Sequence, residues 1–178
     1  VHRSTRVLGV SIAVTALALT AGSAQAASPE LPKREVSVTG NARLEYFTKA
    51  DDVRIRLDAH AVRVQGQPQP ERAWGTVRLS HYFAKENLTL WALGEVDCAS
   101  AGGRSATVSV IVKDTHPQIA DWRGKRIGFS LHSGGDGEPA RGWTTGPVEA
   151  DKLPKCLAPA PEQRVLSGGF RVSSRPTA

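Results

Sequence analysis

The chain has 178 residues, 40% of them hydrophobic and 22% charged, and a formal net charge of +6. This length and apolar content fit one ordinary domain with a genuine core and exclude a disordered chain. Lys and Arg are interleaved with Asp and Glu, so the basic balance points only weakly to anionic partners and gives no sign of specific nucleic-acid recognition.

In chain order, the first segment reads as an export signal. His2, Arg3 and Arg6 form a short basic start, Val7 to Ala21 carry no charge, and Ala24-Gln25-Ala26 supplies a small-residue cleavage site. The expectation is a signal peptide over residues 1–26, cleaved after Ala26. The alternative, a membrane anchor, wants about 20 apolar residues, and Ser11, Thr15 and Thr20 interrupt a short stretch. Arg3 and Arg6 are not adjacent, which favours the general secretory route. The expected product is extracellular, with no membrane span in its mature form. Loss of Arg3 and Arg6 would take the net charge from +6 to +4. The lack of Met and the abundance of Ala, Gly, Arg and Val fit a GC-rich bacterial genome.

Residues 27–40, with Pro29 and Pro32, read as a flexible lead-in, residues 41–173 as the domain, and residues 174–178 as a C-terminal tail. Within the domain the dominant period is two, the strand signal. A first strand is predicted over Ala42 to Phe47. In the next, Val53, Ile55, Leu57, Ala59 and Ala61 alternate with Arg54, Arg56, Asp58 and His60. Val62 and Val64 then change phase, which predicts a bulge near His60 that turns Ala59 and Val62 both inward.

Val77, Leu79 and Phe83 mark a third strand. Leu88, Leu90, Ala92 and Val96 share a face in a fourth, whose other face carries Trp91 and Leu93. Ala106, Val108, Val110 and Val112 mark a fifth, and Pro117 to Trp122 form the one plausible helical turn. Arg126 to Leu131, Gly142 to Val148 and Arg164 to Val172 complete the set. About eight short strands with hairpin-length links predict an all-β fold, a single antiparallel β-barrel or β-sandwich.

Cys98 and Cys156 are the only cysteines, and an oxidising compartment predicts that they pair, the alternative being two buried thiols. A bridge closing a loop of this size would restrict the unfolded chain by about 4 kcal/mol in the entropy model.

Chemistry is thinly signalled. The chain has no HExxH, CxxC, GxSxG or phosphate-loop spacing. His60 falls on the polar face of its strand and His81 on the apolar register of another. If a bend brought them together, they and Asp58 could form a metal or proton-transfer site. The plainer reading is a solvated His60 and a hydrogen-bonded His81 at a strand end. Ser133 to Glu138 could offer oxygens to calcium, but Gly and Asp also suit tight turns. Among Trp74, Trp91, Trp122 and Trp143, Trp91 is the best candidate for an exposed stacking surface, with core packing as the alternative.

Several segments are similar to a known group: Asp51-Asp52-Val53-Arg54, Asp58-Ala59-His60-Ala61, Gly75 to Phe83, Val96-Asp97-Cys98, Gly124 to Ser130 and Cys156 to Pro161. The chain resembles small secreted actinobacterial proteins labelled "repetin". The resemblance implies export and a shared disulfide framework, and assigns no activity or site residue.

Three functional classes follow. The leading one is a non-catalytic binding domain with an extracellular or cell-wall ligand and no cofactor. The second is a small secreted hydrolase or metal-dependent enzyme using His60 and His81. The third is an interaction protein with no small ligand.

Overall fold

A computed structural model describes residues 31–133 and 154–177 in full, and the backbone alone at 143–144 and 148–149. The expected signal peptide, the calcium candidate beyond Ser133 and the Trp143 side chain lie outside the described residues.

Alternation of apolar and polar residues builds long strands: β1 (Lys33–Leu44), β2 (Asp52–Val64), β3 (Arg72–Phe83), β4 (Leu88–Gly102) and β5 (Ser105–Thr115). A 3-10 turn (Pro117–Trp122) leads to β6 (Arg126–His132). Two short pieces, β7 (Trp143–Thr144) and β8 (Val148–Glu149), precede β9 (Gln163–Pro176). Among the described residues these form one antiparallel sheet in the order β5-β4-β3-β2-β1-β9-β7-β6-β8, and β6 also pairs with β5. The fold is all-β, a curled antiparallel sheet whose strand order returns on itself.

The concave face is the core. Val36 and Val38 from β1, Ile55 and Ala59 from β2, Val108 from β5 and Phe129 from β6 are all fully buried. The convex face of β1 to β3 carries Arg, Asp, Ser and Thr, the reverse of a lipid-facing barrel wall. Among the described residues no helix is long and apolar enough to cross a membrane.

Three expectations need correction. The lead-in ends sooner than expected, because β1 starts at Lys33: Val36 and Val38 already alternate with Ser37 and Thr39 and ladder onto β2 from Lys33 onward. The tail likewise belongs to the sheet as far as Pro176, since Arg34 pairs with Pro176 and Glu35 with Arg175. The predicted bulge near His60 does not exist. β2 pairs residue for residue with β1 and β3 through Asp58 to Val62, so Ala59 and Ala61 face the core and Val62 takes the convex face. An aliphatic β-branched residue suits a strand on either face, and here Val62 is half-buried between Glu35 and Arg72. The register does shift in β4, between Val96 and Cys98, where Asp97 is the extra residue. That shift puts Cys98 opposite Ser109 on the convex side while Val96 and Ala99 stay in the core.

Cys98 and Cys156 form a disulfide across a sequence separation of 58 residues, as expected. Beside it the Ser109 hydroxyl donates to Asp97 Oδ1 at 2.6 Å and accepts from the Cys156 N–H at 3.3 Å. Arg126 Nε donates to the other Asp97 oxygen at 2.8 Å. The chain after Cys156 is thereby held against β4 and β5 before it enters β9.

Candidate ligand cavity

One end of the curled sheet is assembled by the start of β2, the end of β3, the start of β4 and the start of β9. Antiparallel pairing sets Val53 opposite His81 and His81 opposite Leu90; one row deeper, Leu79 stands opposite Ala92. All of these share the core face, so where the sheet opens they line a hollow in place of filling it. The 3-10 turn closes over it, held by the His116 N–H donating to the Trp91 carbonyl at 2.8 Å, with Ile119 and Trp122 packed on the core. The result is a cavity of about 570 Å³ with Tyr46 and Phe83 in its wall. Pro159, Glu162 and Gln163, from the stretch that follows the disulfide, complete its border.

The wall is mainly aliphatic and aromatic, and its polar centre is His81. His81 Nε2–H donates to Asp51 Oδ2 at 3.0 Å, and Asp51 Oδ1 accepts the Ala84 N–H at 3.1 Å. Asp51 is buried, 8% exposed. The bonds from the Ala84 N–H and from His81 outweigh desolvation and hold its carboxyl below the ordinary range. The His81 ring stacks on Phe83 at 3.7 Å between centroids and meets the Tyr46 ring edge-on at 4.5 Å. Gln163 Oε1 is buried with no hydrogen-bond partner among the described residues.

The sequence candidates are thus divided between two faces. His81 lies in the cavity. His60 and Asp58 are on the convex face, bonded to each other at 2.9 Å, with the His60 ring stacked on Trp74 at 5.4 Å. His60 and His81 are also set apart along the strands, because His60 pairs with Trp74 and Val53 with His81. Seven residues of strand correspond to roughly 23 Å. They do not form one metal or proton-transfer site, and among the described residues no group of three His, Cys, Asp or Glu side chains could hold a metal ion. Trp91 is half-buried on the convex register below the Arg78 guanidinium, 5.6 Å from its ring centre, and its segment also borders the cavity. His132 bonds Ser105, and His116 caps the 3-10 turn.

Sequence reasoning missed Asp51 and Tyr46. Asp51 had a signal: it lies two residues before Val53 and therefore shares the inward register.

No protein-family model matches the chain, and no curated protein or solved structure shows similarity to it.

Proposed function

We propose that this chain is an exported binding protein whose ligand is a small, largely apolar molecule seated in the cavity at the end of the curled sheet. The observation that carries this reading is the cavity of about 570 Å³, lined by Tyr46, Phe83, Leu90, Trp122 and the His81 ring. That volume lies within the usual range for drug-sized ligands, and an apolar wall with few polar groups is the usual composition of such a site. His81, fixed by Asp51, orients a polar group of the ligand; the aromatic rings supply the contact area. The Cys98–Cys156 disulfide and the resemblance to repetin-labelled secreted proteins support export.

The test is a titration of the folded protein with the apolar fluorophore 1-anilinonaphthalene-8-sulfonate, together with a Leu90→Trp variant that fills the hollow. Saturable binding at one site per chain, lost in a Leu90→Trp variant that still unfolds cooperatively, is the expected result. Unchanged binding in the filled variant would place the ligand elsewhere and end this reading.

A further inference from the structure

The convex face of the same strands bears an arrangement that the cavity does not use. Cross-strand pairing sets Arg56 of β2 directly opposite Arg78 of β3, both exposed, with Asn41 of β1 beside Arg56. Like charges directly opposite destabilise a sheet. Neither arginine has a carboxylate partner among the described residues; Arg78 has only the Trp91 ring. In the adjoining row, Arg43 and Arg54 share a single carboxylate, Asp52, at 2.8 and 2.7 Å. Burial pushes that carboxyl up, but the two guanidinium bonds outweigh it and hold Asp52 ionised.

The charge continues across β1 onto β9. Arg171 pairs with Thr39 and Arg175 with Glu35, and these residues with His60, Ser37 and Ser173 line a groove of about 280 Å³. With strands about 4.8 Å apart, the cationic band from β9 to β3 is roughly 14 Å wide. Glu35 and Asp58 interrupt the band, but Arg56, Arg78, Arg171 and Arg175 outnumber them and leave it net cationic. Unpaired guanidinium groups in a band, aligned with a row of hydroxyls, complement an extended anion.

Two observations select the kind of polyanion. Single-stranded nucleic acid is held on open aromatic faces on which bases stack. Here the Trp74 ring has the Arg72 guanidinium 4.4 Å above its centre and the His60 ring stacked 5.4 Å away, and Trp91 lies under Arg78. The hydroxyls of Ser37, Thr39 and Ser173 instead match a ligand that is itself rich in hydroxyl groups. We infer that the convex face of β9, β1, β2 and β3 docks a linear polysaccharide bearing carboxylate groups, its acids on Arg56 and Arg78 and its sugar hydroxyls along the Ser and Thr row.

The experiment uses the full exported chain and affinity electrophoresis through gels holding polygalacturonate, neutral dextran or single-stranded DNA. Retardation by polygalacturonate and none by dextran is expected. An Arg56→Gln/Arg78→Gln variant should bind at least about tenfold more weakly, while Arg104→Gln at the exposed β4–β5 turn should stay within about twofold. Removing two facing like charges relieves repulsion, so the double variant should fold. If it fails to do so, Arg171→Gln/Arg175→Gln on β9 makes the same test. Equal weakening by Arg104→Gln, DNA binding as tight as polygalacturonate, or no retardation of the native protein would each overturn the proposal.

Discussion

At the scale of single residues, Asp51 and His81 are the most informative pair. Asp51 is held below its ordinary pKa first by the Ala84 N–H and then by His81, so its ionised form is favoured in the folded state. A depressed folded-state pKa contributes stability that is fully present above the unfolded value and lost as pH falls through the folded one. An Asp51→Asn variant should therefore show a flatter loss of stability on acidification below about pH 4, and the native protein a steeper one. Denaturant midpoints measured from pH 7 to pH 2 check this; parallel curves would contradict it. His81→Phe keeps the stacking on Phe83 and removes the donor, so it should lower the thermal midpoint by roughly 2–4 °C. It should weaken polar ligands more than purely apolar ones, because the cavity wall stays aromatic.

At the scale of elements, the strands show which features the sequence makes legible. Period two identified β2, β3 and β5 and placed His81 inward and His60 outward, because each residue's face follows from its neighbours. The same rule read too much into Val62, since hydrophobicity does not distinguish an inward valine from one that merely suits an extended backbone. The β4 shift at Asp97 left no comparable trace, because it is fixed by pairing with β5 and by the Ser109 and Arg126 bonds. The cavity was half legible: the inward residues were visible, but whether they meet across the sheet end depends on how the 3-10 turn lies over it. The glycines offer a sharper test of pairing. Gly75 has φ of +118°, and a Cβ there would run into the Asp58 carbonyl of the partner strand. Gly75→Ala should cost about 3 kcal/mol or more through strain and a broken β2–β3 ladder. Gly102 has open space around it, so Gly102→Ala should stay within about 0.5 kcal/mol. Urea unfolding of the two variants decides the matter, and equal effects would mean that the ladder tolerates a side chain at Gly75.

At the scale of the whole molecule, the disulfide joins stability to the border of the candidate cavity. Cys98 is fully buried on the convex side of β4, and Cys156 lies just before the stretch that contributes Pro159, Glu162 and Gln163 to the cavity border. Cutting the bridge has two separable consequences. It removes the loop constraint on the unfolded chain, which should lower stability by about 2–4 kcal/mol. It also frees the segment after Cys156, leaving the Cys156 N–H to Ser109 bond and the start of β9 to position the cavity border. A Cys98→Ala/Cys156→Ala variant should therefore bind the apolar probe more weakly even at temperatures where its sheet is intact. Far-ultraviolet circular dichroism reports the sheet, and the probe titration at 10 °C reports the border. Full affinity in a folded, bridge-free protein would show that β9 alone positions the cavity and that the disulfide acts only on the unfolded chain. Weakened affinity with an unchanged sheet would show the tether shaping the site.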